Sequence, residues 1–466
     1  MRDPTSTPDP RRRAPAARAV LAVAVGIVAC QPQPEAPRAG LAPASALGTG
    51  AAAVAPSGQV AAPATAPSAS AVAAASADVV SHASTQAEPG PSVLAAGSVD
   101  GAARRARARA RLGQDRSAVT VLAGGSAVEL GERICEAVVP WRPPTTPVLL
   151  KPNICGYNAL HKAGGDNGIT GRTTDPEFVR GVVRCLRARG FTAITVADGC
   201  SVPHTDWQEV IALTGYRAMA ASEQVPLVDM VDDGYFDTAP GTPGKPLRVT
   251  GMEGTTVPTL LVPKLLAEHL DHGLFLSLPK LKAHRFSVVS LAVKATQGLL
   301  MLSDRAPAHM QKWRMHRELL DYVKKLQAGD DDRAAYVRSL EVFAAREIDA
   351  FEVMVPDAVL VEGAPAMNGD GFDLLVPSAE QVAIGGTNAV AVDIAGSQFL
   401  GLWDSAELAA GLGGHRASPL VELAAERFGV PLALPALRGD GAELLRRPRP
   451  VHYKAVAPFR IDRDAP

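Results

Sequence analysis

Hydrophobic and polar positions follow two alternating spacings over most of the chain beyond residue 117. Short β-branched runs such as VTVLAG, PVLLKPNI and AITVADG have the pattern of buried strands. Each is followed by a segment with helical spacing, such as SAVELGERICEAVV or DPEFVRGVVRCLRARG. The latter has Asp175 as its expected cap and Pro176 in its first turn. This alternation predicts an α/β fold, with a mostly parallel sheet and flanking helices.

The same spacings continue toward the carboxyl terminus with one long interruption. GLFLSLPKLK predicts a strand that continues to His284, and a helix is expected from Ser287 to Leu300. Residues from about 305 to 350 predict a helical insertion. DAVLVEG and EQVAIGG then predict strands, and NAVAVDIAGSQFLG predicts a further helix. We therefore expect the folded domain at residues 117–466.

Residues 1–29 have the features of a bacterial signal peptide. A cationic start with Arg11, Arg12, Arg13 and Arg18 precedes an apolar core, Ala19 to Ala29. This core is too short to span a bilayer as a helix. The core ends in Ile27-Val28-Ala29-Cys30, which resembles a lipobox, so we expect lipidation at Cys30. This predicts an exported lipoprotein anchored in a membrane of the cell envelope. The alternative is cleavage at a nearby alanine, which would give a soluble periplasmic or secreted protein.

Residues 30–116 have the composition of a disordered linker. The segment is rich in Ala, Pro and Ser and contains no aromatic residue, so it cannot bury enough apolar surface to fold. It ends in the arginine-rich run RRARARARLGQDR. This run either contacts an anionic lipid or envelope polymer, or is a solvated lead-in to the domain.

The net charge and the cysteines limit the kinds of function that the sequence supports. Residues 117–466 contain six more acidic than basic residues, which argues against nucleic-acid binding. The chain has five cysteines without a CxxC pair, and Cys155 and Cys200 could pair in an oxidising compartment. GCSVPH also offers Cys200 and His204 as a thiol nucleophile and base, although the spacing is nonspecific.

The run LPKLKAH contains three basic side chains spaced two residues apart. If it is extended, Lys280, Lys282 and His284 share one face. They follow a predicted parallel strand, and the carboxyl edge of such a sheet is where ligands bind. The pattern predicts a site for a phosphate or carboxylate, with His284 and Lys280 as candidates for proton transfer. The alternative is a solvated basic edge strand.

Other polar residues could join this edge of the sheet. Lys151 and Asn153 end another predicted strand, and Lys294 interrupts an apolar helix, so we take all three as substrate-binding candidates with Lys282. The carboxylates Asp198, Glu362 and Asp393 also stand at the ends or within apolar runs. They could hold a divalent metal ion through oxygen ligands, or neutralise the lysines.

Several of these motifs occur in a recognisable order. Lys151-Pro152-Asn153, TTDPEFVRGVVRCLRARG, LPKLKAH, VEGAPAMNGDG and GGTNAVAVDIAG together resemble the proteins of the domain of unknown function 362 family, from about Val148 to Gly401. VEGAPAMNGDG contributes Asn368 as a further substrate-binding candidate. Some family members carry a ferredoxin-like iron–sulfur module, which implies a redox partner, but this chain has no cysteine run for a cluster. It also departs from the family at Asn388-Ala389, where Asp-Pro is expected.

The sequence thus predicts an enzyme that acts on a small anionic substrate in a pocket lined by Lys and His. The first alternative is a non-catalytic lipoprotein that binds an anion or metabolite in the same pocket. The second is a redox protein associated with an iron–sulfur partner.

Overall fold

A computed structural model describes residues 98–156, 171–199, 206–230, 247–300, 312–330, 332–372 and 374–451. The expected signal peptide, Cys30, most of the linker, Cys200 and His204 lie outside these residues. Within the described ranges, no helix combines the length and apolarity needed to cross a bilayer.

The strands and helices alternate along most of the chain. The strands are β1 (Val99–Asp100), β2 (Val119–Ala123), β3 (Val148–Pro152), β4 (Ile194–Asp198), β5 (Leu227–Asp229), β6 (Leu247–Thr250), β7 (Leu261–Val262), β8 (Leu274–Leu278), β9 (Lys280–His284), β10 (Val288–Ser290), β11 (Ala358–Gly369), β12 (Leu375–Pro377), β13 (Val382–Gly386) and β14 (Leu437–Arg438). The helices are α1 (Gly101–Gln114), α2 (Ala127–Val138), α3 (Pro176–Ala188), α4 (Trp207–Leu213), α5 (Tyr216–Ser222), α6 (Lys264–His272), α7 (Ala292–Ala295), α8 (Lys312–Met315), α9 (Arg317–Gln327), α10 (Arg333–Phe351), α11 (Ala389–Phe399), α12 (Ala406–Gly411), α13 (Pro419–Phe428) and α14 (Ala442–Arg446).

The large sheet confirms the predicted α/β class. Its main path runs β14-β2-β13-β11-β8-β3-β4-β5, and along this path only β13 is antiparallel to its neighbours. β9, β10 and β12 extend the sheet beside β11, and β1, β6 and β7 form a small separate sheet. Because all of β3, β4, β8 and β11 run the same way, their carboxyl ends meet at one edge.

Helices cover both faces of the sheet. Leu150 of β3 packs into the core beneath α2 and α3, whereas its neighbour Leu149 faces the core formed with α10, α11 and α13. α2 and α3 approach closely because both have glycine at the crossing. A Cβ on Gly131 would lie 2.2 Å from the Phe178 carbonyl oxygen, and one on Gly181 would lie 2.1 Å from that of Val128. Asp175 caps α3 and Pro176 stands in its first turn, as predicted.

A disulfide joins the same two helices. Cys135 of α2 bonds to Cys185 of α3, a pair that the sequence left open. Both cysteines lie within amphipathic helices whose contact brings them together, which the spacing along the chain does not reveal. Cys200, which could pair with Cys155, lies outside the described residues, so that pairing stays a prediction.

The arginine-rich run is part of the fold, so the expected boundary at residue 117 is wrong. It forms α1, capped by Asp100, with Leu112 and Ala108 buried. Arg105 and Arg109 bind the fully buried carboxylate of Glu352 at 2.8 and 2.6 Å. The run was taken for linker because its arginines outnumber its apolar residues, but their charge is matched by a carboxylate more than 240 residues away.

The segment after His284 corrects a second prediction. Instead of starting a helix at Ser287, the chain turns back and forms β10, which pairs antiparallel with β9. The Ser287 hydroxyl donates to the Val289 carbonyl and caps no helix. The helical part is confined to α7 and a 3-10 turn from Thr296 to Leu299. Val288 has a φ of +64° where the chain turns back, and the β-branched Val289 favours the strand that follows. The predicted helical insertion is confirmed as α8, α9 and α10.

Candidate functional site

The carboxyl edge of the sheet brings four strand ends together, as the sequence predicted. Lys151 ends β3 beside Asp198 at the end of β4, and the lysine Nζ lies 2.6 Å from the carboxylate. Both side chains are buried. Gly298 packs against this pair, since a Cβ there would lie 2.8 Å from the lysine Nζ and 2.9 Å from the carboxylate oxygen. The pair is therefore sealed beneath the turn that follows α7.

A second buried ion pair lies two strands away. The Lys280 Nζ donates to both oxygens of Glu362 at 2.8 and 2.7 Å, and the carboxylate is fully buried. Glu362 also accepts the backbone N–H of Asp175, at the start of α3, and that of Ala364. This carboxylate therefore fixes β9, β11 and α3 relative to one another.

The three carboxylates considered as metal ligands do not form a common site. Asp198 pairs with Lys151 and Glu362 pairs with Lys280, so these carboxylates neutralise lysines, which was the alternative to metal binding. Asp393 accepts the backbone N–H groups of Ala292 and Val293 at 2.8 and 3.0 Å, so it caps α7. Among the described residues, no group of three or more His, Cys, Asp and Glu side chains could hold a metal ion. Each carboxylate is saturated by a different element, which sequence spacing cannot reveal.

Lys282 differs from the two paired lysines. It is only 2 % exposed, and its Nζ donates to the carbonyl of Arg172 at 2.9 Å. The ammonium lies 5.5 Å from the centre of the Phe372 ring and 3.5 Å from the Cys155 Sγ. Within the described part of the chain, no carboxylate contacts it. Burial lowers the pKa of Lys282 from its ordinary value, while the Cys155 sulfur partly offsets that effect.

Two buried histidines stand beside this lysine. The His284 ring lies 6.3 Å from that of His316 in a stacked arrangement, and His316 stacks on Phe343 at 4.4 Å. Burial lowers the pKa of both histidines well below the usual range, and the charge of Lys294 lowers it further. Both imidazoles are therefore neutral at pH 7. The Nδ1 of His284 accepts the Phe286 N–H at 3.1 Å, which assigns its proton to Nε2.

Lys294 reaches the same cluster from α7. Its Nζ donates to the Gln297 side-chain carbonyl at 2.6 Å, and that oxygen lies 3.1 Å from the His316 Nε2. Asp393 orients this short helix by capping it. The sequence analysis did not identify Gln297 or His316 as site residues, because the expected helix from Ser287 to Leu300 does not contain the turn that holds Gln297. The sequence signal was the Lys-x-x-Gln spacing of one helical turn.

The two asparagine candidates lie in different places. The Asn153 side chain donates to the carbonyl of Arg172 at 2.8 Å, the same oxygen that accepts from Lys282. Asn368 donates instead to the Leu400 carbonyl and lines a separate cleft of about 180 Å³ with the ion pair of Glu380 and Arg449. Asn153 therefore supports the basic cluster, whereas the residues that line the cleft of Asn368 do not include Lys282 or His284.

The fold and this edge define an α/β protein with a buried cationic and imidazole cluster where its parallel strands end. The family model described as Domain of unknown function (DUF362) matches residues 148–398, just over half of the chain, and the protein belongs to this family. The match contains Lys151, β9, α7 and Asp393 but not α1. No curated protein and no solved structure matches the chain.

Proposed function

We propose that this protein is an enzyme that binds a small phosphate- or carboxylate-bearing substrate at Lys282. The supporting observation is the contrast among its buried lysines. Lys151 and Lys280 each contact a carboxylate, whereas the equally buried Lys282 contacts none among the described residues. A buried ammonium without a counter-ion costs several kcal/mol. An anionic ligand supplies that counter-ion.

The surrounding side chains suit the same ligand class. Lys294 adds a second cation, and the ring of Phe372 contacts Lys282 from one side. A neutral imidazole such as that of His284 can act as a general base at pH 7, because it does not have to release a proton before it accepts one from the substrate. Lys280 is neutralised by Glu362, so we assign proton transfer to His284 and a positioning role to Lys280.

Binding is tested by titration calorimetry with inorganic phosphate. Lys282→Met and Lys294→Met should each weaken binding about tenfold, because a charge-assisted contact is worth roughly 1.5–3 kcal/mol. Lys264→Met is the matched control, since Lys264 is paired with Glu268 on α6 and should leave binding unchanged. Equal affinities in the wild type and both site variants would contradict the anion site.

Catalysis is tested separately on the metabolite that co-purifies, identified by mass spectrometry. His284→Gln should reduce turnover of that compound by about a hundredfold or more while changing its affinity less than threefold. Binding without turnover by the wild type would favour the second candidate, an anion-binding protein. That candidate is consistent with the burial of both histidines.

We further propose that the chain is exported and anchored by lipid at Cys30. The pattern of residues 1–30 supports this, and so does the disulfide between Cys135 and Cys185, because disulfides persist in oxidising compartments. Cys30→Ala should move the protein from the membrane fraction of cells to the soluble fraction or leave it unprocessed. A variant that stays with membranes and keeps the wild-type amino terminus would contradict lipidation.

A further inference from the structure

Two large apolar side chains are exposed at the amino edge of the large sheet, opposite the edge that holds the basic cluster. Trp141, in the loop that enters β3, is 76 % exposed, more than any other large apolar side chain of the described residues. Leu432, in the loop that enters β14, is 55 % exposed. Because β14 and β3 run in the same direction, both loops lie at the same edge. The amino edge therefore exposes apolar surface to solvent at more than one place.

The loop that carries Trp141 is fixed from one side. Arg189, just beyond the end of α3, donates to the carbonyls of Val139 and Pro140 at 3.1 and 3.0 Å. The Thr146 N–H closes a turn within the same loop. An indole that a fixed loop holds outward loses little conformational freedom when it meets a partner.

Arginines from three elements share this edge with the indole. Arg142 follows Trp141, and Arg111 approaches from α1, so that one aspartate, Asp357, lies 3.4 and 3.9 Å from the two guanidinium groups. Arg107 lies one turn before Arg111, is exposed, and contacts no carboxylate among the described residues. Arg189 is bound to backbone carbonyls rather than to a carboxylate. The edge therefore carries more positive charge than its described ion pairs neutralise.

We propose that this amino-edge surface, formed by Arg107, Arg111, Trp141, Arg142 and Arg189, docks the protein on the anionic lipid surface of a membrane. Indole rings favour the level of the lipid headgroups, where their apolar body and polar N–H are both accommodated. Arginines near a bilayer are attracted by the negative potential of anionic lipids. A fixed tryptophan among unneutralised arginines matches both properties of that surface.

The proposed lipid anchor is the reason to choose a membrane as the partner. Residues 31–97 separate Cys30 from the first described residue, and a flexible linker of that length, as its composition predicts, would span about 45 Å on average. The anchor would thus hold the amino edge at a high effective concentration near the bilayer, where a weak surface is sufficient. Docking at this edge directs the opposite edge, with Lys282, away from the lipid and toward soluble substrate.

Co-sedimentation with lipid vesicles tests the surface. The full mature chain from Gln31 is prepared without its lipid, so the result does not depend on whether Cys30 is modified. Vesicles of phosphatidylcholine with about one-third phosphatidylglycerol are compared with vesicles of phosphatidylcholine alone. The protein should bind the anionic vesicles and not the neutral ones, and the binding should weaken as the salt concentration rises.

Two substitutions separate the apolar from the electrostatic contribution. Trp141→Ala should weaken vesicle binding about tenfold or more, because the indole no longer leaves water. Arg107→Gln should weaken it about fivefold. Both side chains are exposed, so both variants should fold like the wild type. Val342→Ala on α10 and Lys325→Gln on α9 are the matched controls, since these side chains are exposed on other elements and should leave binding unchanged.

Brominated lipids provide a second readout, because they quench a tryptophan that enters the bilayer. They should quench the fluorescence of the wild type, and Trp141→Ala should lose that quenching. No binding to anionic vesicles, or equal binding by the wild type, Trp141→Ala and Arg107→Gln, would overturn the inference. Binding to an anionic polysaccharide such as dextran sulfate without binding to vesicles would indicate an envelope polymer as the partner and would also overturn it.

Discussion

At the scale of single residues, Asp393 shows how a buried charge is accommodated. It interrupts the apolar helix α11 and is only 1 % exposed. Burial raises the pKa of Asp393 from 3.8 to about 7, although the N–H groups of Val293 and Ala292 lower it in part. The folded state therefore retains a proton that the unfolded chain releases above about pH 4. The stabilisation due to this proton is complete below pH 4 and is lost as the pH rises through 7.

Two substitutions at Asp393 test this assignment. Asp393→Asn keeps an acceptor for a backbone N–H without a titrating charge, so it should remove a loss of stability between pH 5 and pH 8 that the wild type shows. Asp393→Leu leaves two buried N–H groups without an acceptor and should cost about 1–3 kcal/mol for each at either pH. Urea midpoints of the three proteins at pH 5 and pH 8 are the measurement. A wild-type pH dependence identical to that of Asp393→Asn would contradict the assignment.

Single residues also mark the limit of what the sequence predicts about the site. The position of Asp393 in an apolar helix indicated that its carboxylate has a partner. The alternation of Lys280, Lys282 and His284 with apolar residues indicated that all three lie on one strand. The sequence could not show that Lys280 and Lys151 are neutralised while Lys282 is not. That difference depends on which carboxylates the neighbouring strands bring to each lysine. Glu362 of β11 lies opposite Lys280, and Asp198 at the end of β4 contacts Lys151.

At the scale of elements, Asn388 joins the start of α11 to the end of α1. The Asn388 side-chain oxygen accepts the Ala391 N–H and caps α11, a role that aspartate performs equally well. Its amide nitrogen donates to the carbonyls of Leu112 and Asp115 at the end of α1, both at 3.0 Å. A carboxylate accepts only, so it could not bind these carbonyls. The arginine-rich run and Asn388 are thus two halves of one contact.

This contact predicts the effect of shortening the chain. A protein that begins at Ser98 should fold with full stability, whereas one that begins at Ser117 leaves Glu352 without Arg105 and Arg109. That loss should cost about 3–5 kcal/mol. Asn388→Asp should cost about 1–2 kcal/mol in the longer protein and nearly nothing in the shorter one. Urea denaturation of the four proteins measures these differences. Equal stability of the long and short chains would show that α1 is dispensable.

At the scale of the whole molecule, the sequence predicted the architecture better than its boundaries. Strand and helix alternation is a local property, so the class of sheet and the insertion of α8 to α10 could be predicted from short windows. The start of the domain, the disulfide and the turn into β10 depend on partners far along the chain. Local composition contains no information about them. The sequence of α1 has the composition of a linker, and only the structure shows that Glu352 pairs with its arginines.

Glu352 joins segments that lie far apart along the chain. Its carboxylate is shared by Arg105 and Arg109 near one end and by Arg427 near the other. The outermost strand β14 likewise pairs with β2, with Leu437 opposite Val119. Contacts between such distant segments raise the contact order and slow folding, since a long loop must close before they form. Helix α1 can therefore make these contacts only after the segments that contain Glu352 and Arg427 have been synthesised.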